Sequence, residues 1–173
     1  MGGLVHIYTG TGKGKTTAAI GLGIRALGSG MKVLMVQFLK GRQSGEEVVF
    51  EKLKPNFELL KLKKIDKFSW EFTEDEKQEM RESSLYLFDY ALSQARSKDM
   101  IILDEIMGAI KTGLIDVKTV SDFIKNKPTK LELVLTGRNA PIELIELADY
   151  VSEINAVKHP MTSGISAREG IEF

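Results

Sequence analysis

Thr9-Gly10-Thr11-Gly12-Lys13-Gly14-Lys15-Thr16-Thr17 follows a short apolar run, Leu4 to Thr9, and precedes a stretch of helical periodicity from Lys15 to Leu27. Gly14-Lys15-Thr16 is the end of the phosphate-binding pattern G-x-x-x-x-G-K-[ST], found where a strand turns into a helix. Three glycines in five residues (Gly10, Gly12, Gly14) let successive amides from Gly12 to Thr16 turn inward as an anion nest, to which the helix adds its positive end. Lys15 is placed to reach phosphate oxygens, Thr16 to ligate Mg²⁺ (or Mn²⁺), and Lys13 brings a second cation. The pattern departs at its start, where Thr9 takes the position of the first glycine.

Working outward, further apolar runs at Lys32–Phe38, Phe57–Leu62, Met100–Asp104, Leu131–Thr136 and Tyr150–Ile154 read as buried strands. Helical stretches separate them, so the chain is expected to form one α/β domain over residues 1–173, three layers around a mostly parallel sheet. Gly28-Ser29-Gly30 closes the first helix. Thr73 with Glu76 forms a capping box opening a helix expected to reach Lys98, and Pro141, with Asn139 upstream as a helper cap, starts another ending near Asp149.

Met100-Ile101-Ile102-Leu103-Asp104-Glu105 is a buried strand ending in two acids, at the strand end where open α/β sheets place ligands. Two adjacent carboxylates cannot share a direction on a strand, so the reading gives the metal to Glu105 and an orienting role behind it to Asp104. The 24 Lys plus Arg balance 24 Asp plus Glu, so no global field favours nucleic acid or an anionic membrane. The lysine-rich run Lys52 to Lys67 is interspersed with acids and reads as a solvated rim. With no cysteine there is no thiolate metal site and no Cys nucleophile. No leader pattern and no apolar run of about 18 residues occurs, and cytoplasm is the expected location. His6 reads as a strand residue, and His159 as a loop residue or a ligand. By itself, the motif pair gives nucleotide binding without naming a reaction; Glu105 could still serve as a base for water.

Taken together, Tyr8 to Ala19, Arg25, Val36-Gln37-Phe38-Leu39-Lys40-Gly41, Phe68-Ser69-Trp70-Glu71, Leu103-Asp104-Glu105, Leu135-Thr136-Gly137-Arg138, Ala148-Asp149 and Lys158-His159-Pro160 to Phe173 resemble the ATP-dependent corrinoid adenosyltransferases of the CobA type. The resemblance implies a RecA-like P-loop fold, usually a homodimer. It implies a variant loop holding ATP reversed relative to most P-loop hydrolases, which accounts for Thr9. It implies transfer of the 5′-deoxyadenosyl group of ATP to Co(I) of a corrinoid, cobalamin or cobinamide, with release of triphosphate. An electron-donor protein such as a flavodoxin would supply the electron that reduces the corrinoid cobalt to Co(I). In that light Lys15, Thr16 and Glu105 carry catalysis, and Gly10 to Thr17 with Arg25 and Arg138 bind ATP. The resemblance implies that Phe68 and Trp70 meet the corrinoid and displace its lower ligand; spacing alone favours reading them as loop anchors, and the resemblance reverses that preference. Thr11 stands where the family loop commonly has asparagine, and some members carry an N-terminal extension over the corrin. The competing readings are a RecA-like ATPase or small-molecule kinase, and a non-catalytic ATP-dependent corrinoid-binding module.

Overall fold

The computed structural model describes residues 2–39, 45–61 and 73–172. Six strands form one sheet: β1 (Val5–Thr9), β2 (Val33–Gln37), β3 (Phe57–Lys61), β4 (Met100–Asp104), β5 (Glu132–Thr136) and β6 (Tyr150–Glu153). Their order is β3-β2-β4-β5-β1-β6 and every pairing is parallel. The phosphate-loop strand β1 is thus separated from the acidic strand β4 by β5. The expected three-layer α/β architecture with a parallel, RecA-like sheet is borne out.

Side-chain alternation along the strands makes the two outer layers. Val5, Ile7, Leu34, Val36, Ile101, Leu103, Leu133 and Leu135 point to one face and pack under α3 (Glu74–Gln94), α4 (Ile106–Lys111), α5 (Val117–Asn126) and the short α6 (Ile142–Ile145). Val33, Met35, Met100, Ile102 and Val134 point to the other face, beneath α1 (Lys15–Gly28) and α2 (Gly45–Leu53). Burial on both faces is why these strands read as continuous apolar runs, and each fully buried Leu or Ile contributes on the order of 1.5–3 kcal/mol.

The expected strands all form, trimmed by a residue or so at their ends, but β6 is not the buried strand its apolar residues suggested: it lies at the sheet edge beyond β1 and is exposed along its length. The capping box of α3 is present: Thr73 Oγ1 accepts the Glu76 amide at 3.3 Å and Glu76 Oε2 accepts the Thr73 amide at 2.8 Å. The helix ends at Gln94, short of Lys98, where Ser97 and Lys98 amides turn back to the Gln94 carbonyl. The helix expected from Pro141 to Asp149 is only Ile142–Ile145. Two long-range bonds cut it short: Asp149 accepts the Val5 amide through Oδ2, and its own amide donates to the Val5 carbonyl, fixing it at the entrance to β6. Asn139 sits in a left-handed turn (φ 56°) after β5 and does not cap α6.

Candidate nucleotide-binding site

The loop after β1 is fastened to the exit of β6. The Ile154 amide donates to the Thr9 carbonyl at 2.8 Å, and the Gly12 amide donates to the Ile154 carbonyl at 2.7 Å. A Cβ on Gly10, whose φ is +102°, would fall 2.4 Å from the Ile154 oxygen, so only glycine fits there. Gly14 has φ +114° with open space around it; its requirement is conformational. Thr9 ends the strand with its side chain buried, and its Oγ1 accepts the Ala140 amide at 3.2 Å. The residue in the place of the first glycine is therefore a ladder residue tying β1 to the turn after β5.

Because the Gly12 amide is committed to Ile154, the anion nest begins at Lys13. The first intrahelical bond of α1 runs from the Ala18 amide to the Gly14 carbonyl, so the amides of Lys15, Thr16 and Thr17 precede it and remain for a ligand. Lys15 is 7% exposed and its ammonium donates to the carbonyls of Gly10 (2.9 Å) and Gly12 (2.7 Å). Burial holds this ammonium below its ordinary pKa, Glu105 and Asp104 pull it back up, and Arg138 adds to the lowering. A cation so placed is desolvated in advance and ready to exchange two carbonyls for phosphate oxygens.

The opposite wall is the acidic strand. Asp104, 1% exposed, accepts the Thr16 hydroxyl (2.9 Å) and the Thr136 hydroxyl (2.6 Å) through Oδ1, and the Gln37 amide (3.0 Å) through Oδ2. Glu105 leaves the strand in a left-handed conformation (φ 58°) as the N-cap residue of α4, its amide donating to Thr136 Oγ1 at 3.0 Å. Both acids line the cleft, Asp104 engaged by the Thr16, Thr136 and Gln37 side chains and Glu105 one residue beyond, past the left-handed turn.

That cleft encloses about 980 Å³ and is lined by residues 11–17, Leu39, Gly45, Glu46, Asp104, Glu105, Arg138, His159 and the turn Gly170-Ile171-Glu172. Such a volume lies at the upper end of the range for small-molecule sites. Of the residues expected at the site, Thr11 to Thr17, Asp104, Glu105 and Arg138 converge there; Gly10 supports the cleft through its carbonyl without lining it. Arg25 stands exposed in the last turn of α1, outside the lining and close enough to act electrostatically on Tyr8. Phe68 and Trp70 lie outside the described residues. Sequence reasoning missed the terminal turn, where Glu172 meets Lys13 at 3.4 Å. Arg168 holds the Glu172 carboxyl down to about 2, with Lys13 a lesser cause. His159 Nδ1 accepts the Met161 amide at 3.2 Å and thereby caps a short turn at Pro160–Ser163.

Residues 1–173 match the family model described as ATP:corrinoid adenosyltransferase BtuR/CobO/CobP. A corrinoid adenosyltransferase of Sinorhizobium sp is 39% identical over 181 residues, covering 99% of this chain and 80% of that protein. One from Pseudomonas aeruginosa is 34% identical over 172 residues (99% and 84%), and one from Escherichia coli strain K12 is 32% identical over 172 (99% and 86%).

Proposed function

Since the chain belongs to the ATP:corrinoid adenosyltransferase family, we propose that it transfers the 5′-deoxyadenosyl group of ATP to Co(I) of a corrinoid and releases triphosphate. The observation that carries this is the phosphate cradle itself, with Lys15 buried over the Gly10 and Gly12 carbonyls and Thr16 joined to Asp104. In the reaction, the Co(I) electron pair forms the bond to C5′, the C5′–O bond breaks, and its pair leaves on the triphosphate. The nucleophile belongs to the corrinoid, so the protein's task is positioning and charge stabilisation, which the site's inventory matches. Lys15, the amides of Lys13 to Thr17 and the Lys13 ammonium face the charge that gathers on the departing triphosphate. Arg138 at the cleft wall adds a further cation. ATP must also take Lys13 from Glu172.

The donor set suits a hard divalent cation. The Thr16 hydroxyl donates its hydrogen bond to Asp104, leaving its oxygen lone pairs for a metal, and Glu105 adds a carboxylate at the cleft. Among the described residues no group of three or more His, Asp or Glu gathers into a cage. Mg²⁺ in this site would be held by Thr16 and Glu105 together with the nucleotide's own phosphates, with Asp104 behind Thr16. When bound, the ion supplies charge neutralisation on the leaving group. Phe68 and Trp70 are assigned to the corrinoid, and Arg25 to the nucleotide. This reading carries with it a homodimer, a flavodoxin-type electron donor and a cytoplasmic location; no described helix is long and apolar enough to cross a membrane.

Product identity tests the reaction. ³¹P NMR of an anaerobic mixture with reduced corrinoid should show triphosphate growing only when corrinoid is present. ADP and phosphate would establish a kinase or ATPase instead.

A further inference from the structure

The last side chains of β2, β4 and β5 on the α1 face of the sheet are Gln37, Asp104 and Thr136, each following apolar rungs on that face (Met35, Ile102, Val134). Register places Gln37 directly beside Asp104. All three are buried, at 0%, 1% and 0% exposure. Asp104 is held from both sides in this polar row, with Thr136 and Thr16 on Oδ1 and the Gln37 amide on Oδ2. Gln37 itself is incompletely satisfied: its Oε1 is buried with no hydrogen-bond partner among the described residues. Flipping the amide does not help, because two acceptors, Oε1 and Asp104 Oδ2, would then face each other at about 3 Å.

A buried acceptor without a donor forfeits its hydration uncompensated, and an apolar residue would suit the end of such a strand better. Gln37 is therefore not explained by packing. Its donor fixes the plane of the Asp104 carboxylate, which in turn keeps the Thr16 hydroxyl proton turned toward Oδ1 and the Thr16 lone pairs available. Its orphan acceptor sits on the same amide and is suited to the proton of a water drawn in with a cation.

We propose that Gln37 is a positioning residue for the metal–nucleotide site, acting through Asp104: it orients the carboxylate that orients Thr16, and its Oε1 becomes satisfied when the hydrated cation arrives with ATP. This rests on the nucleotide-and-metal reading above, and deepens it by a residue that touches neither phosphate nor metal.

The test is a double-substitution cycle read by binding. Mn²⁺ uptake by the ATP-saturated protein is followed by the EPR signal of the free ion, for the unaltered chain, Gln37→Met, Asp104→Asn and the pair; ATP affinity without metal is measured alongside. Gln37→Met should weaken Mn²⁺ binding about 10-fold or more while metal-free ATP affinity stays within about twofold. In the Asp104→Asn background the same substitution should change Mn²⁺ binding less than about twofold, since its route is gone. An equal loss in both backgrounds, or no loss in the first, overturns the proposal while leaving the site reading intact. Absence of ATP-dependent Mn²⁺ uptake by the unaltered chain overturns both. Should Gln37→Met not fold, glutamine-selective ¹⁵N labelling of the unaltered chain decides. The Gln37 side-chain amide signal should shift when Mg²⁺ is added to the ATP-loaded protein and stay put with ATP alone. A signal indifferent to Mg²⁺ counts against the proposal.

Discussion

Replacing Lys15 by methionine keeps the length of the stem and removes the ammonium. In the folded chain that ammonium bonds the Gly10 and Gly12 carbonyls at 2.9 and 2.7 Å. Hydrogen bonds to a charged group are worth about 1.5–3 kcal/mol each, but here they are set against the desolvation that lowers its pKa. The two nearly cancel, so the stability of the empty protein should change by no more than about 1–2 kcal/mol. Binding is different. A buried charge contact to phosphate contributes about 2–5 kcal/mol, and surrendering the two loop carbonyls brings the net toward roughly 2–3 kcal/mol, or about 30- to 150-fold in ATP affinity. Calorimetric titration with Mg-ATP, beside thermal unfolding of both proteins, checks this. A folded Lys15→Met protein that binds ATP within about threefold of the original would refute the assignment of Lys15 to the phosphates. The pH dependence has a fixed sign. With its pKa lowered on folding, Lys15 gives up its proton in the native chain first, so between that lowered value and the ordinary one of roughly 10.4 the unfolded chain binds more protons. Its destabilising contribution is complete at neutral pH and is relieved as pH rises through that window. The stability of the original relative to Lys15→Met should therefore climb on the alkaline side, and a flat difference would contradict the burial.

Two glycine substitutions separate steric from conformational demands in the loop: Gly10→Ala meets both positive φ and the Ile154 oxygen at 2.4 Å, whereas Gly14→Ala meets positive φ in open space. We expect a loss of about 2–5 kcal/mol for the first and about 1–2 kcal/mol for the second, read as unfolding midpoints; equal losses would contradict the account of how the loop is seated. Trp70→Ala should leave ATP affinity unchanged, and should slow turnover starting from Co(II) more than turnover from chemically reduced Co(I). A loss of ATP affinity matching that of Lys15→Met would refute the division of the two sites.

Much of the architecture was legible because a strand buried on both faces has no polar positions to interrupt its interior, as in Met100 to Leu103. The phosphate loop was legible for a related reason: the positive φ angles of Gly10 and Gly14 restrict the residue types that fit. Three helices escaped the reading. In α5 the signals were present, with Asp116 capping through the Lys118 amide and Val120, Phe123 and Ile124 on one buried face. In α4 they were not, because the helix follows a glutamate in the left-handed region, where glutamate is rarely found. At the site, Lys15, Thr16 and the acidic pair could be found from local spacing. Gln37 and Thr136 join Asp104 only through lateral neighbours in a sheet whose order is not chain order, and Glu172 reaches Lys13 across nearly the whole chain. Adjacency of that kind is not written in any window of one sequence.

The most direct measurement is the absorption spectrum of Co(I) cobalamin incubated anaerobically with the protein and Mg-ATP. The account predicts conversion to a light-sensitive alkylcobalt species, with one triphosphate formed per corrinoid converted. An unchanged corrinoid spectrum, with ATP untouched or hydrolysed to ADP, would contradict it.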